Sequence, residues 1–223
     1  MPEAAATETE PPVKGVKPKQ RGVLHQQAFF VSLACGIVLL WAATGARAIV
    51  AAAVFAVSVS ALLGVSALYH RGDWSHSVRM KLRRLDHSMI FLLIAGTYTP
   101  FALLVLEGTF STVLLIVVWA VAVAGSIMEL ALADASKWIM AIICIGLGWV
   151  SLIAIPKIVG EIGAVGTALL ALGGVAYTAG AIIYALQKPN PVPGVYGYHE
   201  VFHLLVVIAI ALQYSVIAFF VVS

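Results

Sequence analysis

Tyr198-His199-Glu200-Val201-Phe202-His203 opens the last long apolar run of this chain, which continues from His199 to Val222. A run of that length is enough for a helix to cross a bilayer, which takes about 20 apolar residues. On such a helix His199 and His203 are four residues apart, on one face and one turn from each other. Two imidazoles placed so can bind one metal ion. Taken singly, each could instead be an interfacial histidine reaching for the headgroups. Ionisable groups at membrane depth are costly and default to function, so the pair beside Glu200 is read as half of a metal site. Its other donors must come from elsewhere in the chain.

Working outward, six more apolar runs qualify as spans: Leu24 to Thr44, Arg47 to His70, Leu85 to Leu106, Ser111 to Leu132, Ser136 to Pro156 and Ile162 to Leu186. Of the 223 residues, 62% are hydrophobic and 10% charged. Soluble domains carry roughly 25% charged residues, so this composition excludes one. No alternating strand pattern suggests a closed barrel. The expected fold class is all-α, a polytopic membrane protein forming a seven-transmembrane-helix bundle over residues 23–223. Residues 1–22, polar and with Pro2, Pro11, Pro12 and Pro18, are expected to be a disordered cytoplasmic tail.

Lysine and arginine orient the bundle. The tail and the loops after the second, fourth and sixth runs hold eleven of the thirteen, leaving only Arg47 and Lys157 for the other side. The N-terminus is therefore expected in the cytoplasm and the C-terminus outside. Trp41, Trp74 and Trp138 fall near the expected interfaces, as an aromatic belt would. Pro100 is expected to kink the third helix. Cys35 and Cys144 lie within apolar runs and read as small packing residues, not as a disulfide or metal ligands.

In this topology His70 ends the second helix, Asp86 and His87 open the third, and His199 and His203 open the seventh. All these ends face the cytoplasm, so His70, Asp86, His199 and His203 share one layer. Three imidazoles with one open position are the donor set of a catalytic zinc site, and neutral imidazole suits zinc. Asp86 can be a fourth ligand or can hold a zinc-bound water; alone it would read as a carboxylate favoured at a helix N-terminus. Ser66 precedes His70 by one turn and can bond a ligand or its own helix backbone. His87, about 100° around the helix from Asp86, is not expected to be a ligand. His25 and His76 are read as solvated. Glu200 completes a literal His-Glu-x-x-His, in which metalloproteases use the Glu as base. Yet no His, Asp or Glu follows His203, which argues against a protease.

Three segments together, Ser66-Ala67-Leu68-Tyr69-His70, Leu85-Asp86-His87-Ser88 running on to Ala95-Gly96-Thr97-Tyr98-Thr99-Pro100, and His199-Glu200-Val201-Phe202-His203, resemble the hemolysin III family. That family groups with progestin and adiponectin receptors, and more distantly with alkaline ceramidases. The resemblance covers nearly the whole chain from about Arg21 and keeps the motifs in order. It implies seven helices and zinc near the cytoplasmic face, held by His70, His199 and His203. Asp86 would meet the zinc through water, and Ser66 would be the associated serine. In the receptor branch the position of Glu200 need not be acidic, which leaves it a place beside the site rather than a role as base. The short tail resembles bacterial members, so a bacterial inner (plasma) membrane is expected.

Three functions are open. The first is a zinc-dependent membrane hydrolase of lipid amides or esters, with Asp86 serving the water. The second is a receptor-like or membrane-homeostasis protein in which zinc is structural and the cavity only binds lipid. The third is a pore-forming cytolysin, as the family name implies. The expected partners are membrane lipid and a lipid-like substrate or ligand, with no nucleic acid.

Overall fold

The computed structural model describes residues 18–131 and 137–222. Regular structure among them is helical apart from one antiparallel bridge between Val192 and Tyr196. In order come α1 (Val23–Ala42), α2 (Ala46–Arg71), α3 (His76–Leu104), α4 (Gly108–Ala131) and α5 (Lys137–Trp149). A short 3-10 segment, Val150–Ala154, leads into α6 (Ile155–Leu186). The last helix is α7 (Tyr198–Val216), which ends in a π-helical turn, Ile217–Val221. Helices are the solution open to apolar sequence in lipid, because they satisfy their own backbone groups.

The chain packs as sequential neighbours, α1 on α2, α2 on α3, α3 on α4 and α6 on α7, while α1 also meets α7 and brings the two ends of the chain together. Phe55, Phe91, Leu63, Val118 and Ile217 fill the interior. Ile37, Ile153 and Phe219 are largely exposed, which in a bilayer is contact with acyl chains. Trp41, Trp74 and Trp138 are also exposed, close to helix ends. Both cysteines are free and half-buried.

Among the described residues six stretches are long and apolar enough to cross a membrane, where the sequence suggests seven runs. The difference lies in the fifth and sixth runs, which form one helical stretch of 49 residues, Trp138–Leu186. At 1.5 Å per residue that stretch would measure about 74 Å if straight, against a hydrocarbon core of about 30 Å. It is not uniform. Gly163 has φ 67° and ψ 179°, a backbone conformation essentially confined to glycine. Further back, the backbone tightens to 3-10 at Val150, and Tyr98 from α3 compensates there. Its hydroxyl accepts from Ser151 N–H at 2.7 Å and lies 2.7 and 2.9 Å from the Gly148 and Leu147 carbonyls.

α3 starts at His76, nine residues before the expected Leu85. Arg79, Lys81, Arg83 and Arg84 lie in this extension; lysine and arginine are good helix formers, but hydropathy registers only the part in lipid. The Arg79 guanidinium sits 5.7 Å from the Tyr69 ring, joining the extension to α2. The helix continues through Pro100 to Leu104.

Of the tail expected over 1–22, residues 1–17 lie outside the described residues, and 18–22 are tied down. Lys19 and Gln20 N–H donate to the Gly194 and Val195 carbonyls, each at 3.2 Å. Gly22, at φ 76°, lies so close to α2 that a Cβ there would come within 2.5 Å of His70 Cβ.

Candidate metal centre

α2 delivers His70 from its last turn, and α7 delivers His199 and His203 from its first two turns. The start of α7 is well determined by its caps. Asn190 Oδ1 accepts from Tyr198 N–H at 3.0 Å, and Glu200 Oε2 accepts from Gly197 N–H at 2.8 Å. That second bond closes one orphan donor of the helix N-terminus.

The three histidines are buried, and one nitrogen from each lies within 4.8 Å of the others. His70 Nε2 and His199 Nε2 are 3.0 Å apart. Zinc–nitrogen bonds of about 2.0–2.1 Å in a tetrahedron put donor atoms about 3.3 Å apart, so the spacing fits a metal of this size. An all-imidazole set can hold a metal ion without a thiolate. Asp86, buried ten residues into α3, places Oδ2 3.6 Å from His70 Nε2. The sequence-expected layer is thus brought together from three helices.

Ser66 is buried and lines the same cavity as Asp86, His199 and His203. Glu200 is also buried, but its oxygens serve the Gly197 N–H and Arg21, whose Nε is 2.7 Å from Oε1. The carboxylate caps α7 and holds the segment before α1, which is a structural use of the acid. Tyr196, in the preceding loop, donates its hydroxyl to the Glu200 carbonyl at 3.2 Å. Burial, and then the Glu200 charge, push its phenol pKa above the ordinary value.

Two further histidines adjoin the set. His25, read as solvated, is 2% exposed and stacks on His203 with ring centroids 3.7 Å apart and 12° between planes. Neither of its ring nitrogens has a protein partner among the described residues. The only sequence signal was its position at the start of α1, level with the other histidines. His87 is the second. Its Nδ1 meets Glu129 Oε1 at 2.8 Å and its Nε2 meets the Tyr184 hydroxyl at 3.3 Å. Both ring nitrogens are engaged away from the triad, and the Tyr184 ring lies 5.8 Å from that of His199. Glu129, His87 and Tyr184 so form a line across α4, α3 and α6 beside the donor set, with Glu129 buried and the other two half-buried.

From this polar layer a cavity of about 250 Å³ runs into the bundle. Beyond the histidines its walls are mainly apolar, with Ile90, Ile94, Phe101, Leu114 and Ile158 among them. A polar head and an apolar barrel suit an amphiphile with its reactive group at the donor layer and its chain inside.

A family model described as haemolysin-III related matches residues 14–214. The "Hemolysin-3 homolog" of Bacillus subtilis (strain 168) is 32% identical over 169 residues, covering 73% of this chain and 76% of that protein. "Hemolysin-3" of Bacillus cereus is 34% identical over 176 residues, covering 79% and 77%.

Proposed function

The chain belongs to the haemolysin-III-related family and is a multi-pass integral protein of the bacterial plasma membrane, and from that premise we propose that it is a zinc-dependent hydrolase of lipid amides or esters. The observation that carries this reading is the buried set of His70, His199 and His203, of which His199 and His203 line an apolar cavity together with Asp86. Zinc held there would polarise a carbonyl and lower the pKa of a water to about 7. Asp86 Oδ2 accepts the proton of the attacking water. The Ser66 hydroxyl, on the same wall of α2 as His70, orients the substrate carbonyl or that water. His87, held by Glu129, holds the Tyr184 hydroxyl at the edge of the layer. The apolar barrel seats the acyl chain and keeps bulk water out.

A second reading draws on the same Asp86. Its 3.6 Å separation from His70 Nε2 is close to the edge of a tetrahedral zinc set. Were the carboxylate itself a ligand, the site would be closed and the zinc structural, in a receptor-like protein that binds lipid without turnover. The names of the two Bacillus relatives suggest cytolysis, but the cavity's walls of Leu106, Leu114 and Ile158 favour a ligand chamber over a water-filled pore.

Seven spans also belong to this reading, with the tail inside and the C-terminus outside. The 49-residue stretch divides at Gly163. Trp149 Nε1 donates to Thr178 Oγ1 at 2.9 Å, and these residues lie almost symmetrically about Gly163, as the two arms of an antiparallel hairpin would.

The deciding experiment measures zinc per chain and fatty-acid release from ceramide-like and ester lipids by the purified protein. Zinc-bound protein that cleaves neither class would leave the receptor-like reading in its place.

A further inference from the structure

We infer that the far half of the cavity is a second recognition site, built for a hydrogen-bond donor in the middle of a long-chain lipid. This inference rests on the proposed lipid-binding role of the cavity and specifies its ligand. Gln213, on α7, lines the cavity and is 4% exposed. Its Nε2 donates to the Leu170 carbonyl at 3.4 Å, while its Oε1 has no partner among the described residues. The bond from Nε2 fixes which end of the amide is free: the acceptor. Across from it, Gly173 leaves the space the amide occupies, since a Cβ there would lie 2.7 Å from Nε2.

A second unpaired group lies one turn along α6 from Gly173. The Tyr177 hydroxyl is buried, lines the same cavity and has no partner among the described residues. A buried polar atom left unpaired costs about 1–3 kcal/mol, and two in one apolar chamber mark a place where a ligand supplies the missing bonds. Gln213 Oε1 requires a donor, an O–H or N–H. The Tyr177 hydroxyl can both donate and accept, so a ligand hydroxyl suits either group.

The position of the group follows from the helix. Gln213 is ten residues beyond His203, about 15 Å at 1.5 Å per residue, the reach of about a dozen methylenes from a head at the histidines. The ligand class is therefore a long acyl chain with a hydroxyl near its middle, not a plain saturated chain.

The test is an equimolar competition between octadecanoate and 12-hydroxyoctadecanoate on the zinc-loaded protein, with bound ligand counted by native mass spectrometry. We expect about tenfold enrichment of the hydroxylated chain, the scale of one buried hydrogen bond. Gln213→Leu should bring the ratio close to one, and Tyr177→Phe should reduce it. Moving the hydroxyl to carbon 3 should remove the preference in the unmodified protein, a comparison independent of how the variants fold. Octadecanoate binding with no preference, or a preference unchanged in Gln213→Leu, overturns the inference and leaves the lipid cavity intact. Neither chain binding overturns both.

Discussion

His25 lies flat on His203, with 3.7 Å between ring centroids and 12° between planes. The contact is made across α1 and α7, so the first helix forms one side of the donor layer although it supplies none of the three donors. The stack sets the plane of the His203 imidazole, and if His203 holds a metal, its ring orientation would be part of the site's affinity.

His25→Phe keeps a flat ring against His203 and removes two unpartnered buried nitrogens. Its thermal stability should equal or exceed that of the unmodified protein, with zinc retained. His25→Ala opens a gap beside His203 and should cost about 2–4 kcal/mol, typical of deleting a large buried side chain, together with part of the zinc affinity. Thermal unfolding and zinc titration read both. Equal zinc affinity in the two variants would mean that the stack does not position His203.

Alanine at His70, His199 or His203 should sharply reduce zinc content and lower the unfolding temperature, since metal binding is coupled to folding. Asp86→Asn should keep most of its zinc under saturating conditions and lose hydrolysis, on the scale of about 10–100-fold for a residue acting beside the ligands. Zinc stoichiometry and fatty-acid release measured together separate these outcomes. Loss of zinc in Asp86→Asn as complete as in the histidine variants would make Asp86 a ligand and end the hydrolase reading.

Arg21 and Glu200 form an ion pair at 2.7 Å with the carboxylate 3% exposed. Arg21→Ala strands that charge and should destabilise the protein by about 3 kcal/mol, the lower end for breaking a buried pair. Glu200→Gln keeps an acceptor for Gly197 N–H and should cost less, with zinc still bound. A double-mutant cycle on unfolding free energy measures the coupling; a coupling near zero would show that the pair does not hold the tail segment.

Gly163→Ala meets no neighbouring atom within 4 Å, so any loss must come from its backbone. A penalty of about 1–3 kcal/mol is expected for a residue with a Cβ in that conformation. Reporter fusions should place residues 71–84 inside and residue 163 and Ser223 outside. A cytoplasmic reporter signal at Ser223 would rule out seven spans with the tail inside.

The sequence made the donor layer legible because charge and imidazole are conspicuous in lipid-embedded helices, and their level can be counted from the helix ends. Which way each helix faces was much less so. A membrane helix is apolar toward lipid and toward its neighbours alike, so nothing in Val23–Ala42 showed that His25 turns inward. Glu200 was read as standing beside the site and not as a base, but nothing in the His-Glu-x-x-His pattern showed that its carboxylate caps α7 and binds Arg21. The break at Gly163 falls one residue into the sixth run read from Ile162, but its φ of 67° could not be told from the neighbouring glycines, where composition does not distinguish a packing residue from a turn.

The donor histidines of α2 and α7 are 129 residues apart in sequence. At a synthesis rate of about 5–20 residues per second, His199 leaves the ribosome roughly 6–25 seconds after His70. Throughout that interval the nascent chain has one donor and no binding set. A metal ion held by this set would therefore be captured only at a final step of biogenesis, one that a chain ending before α7 could not perform.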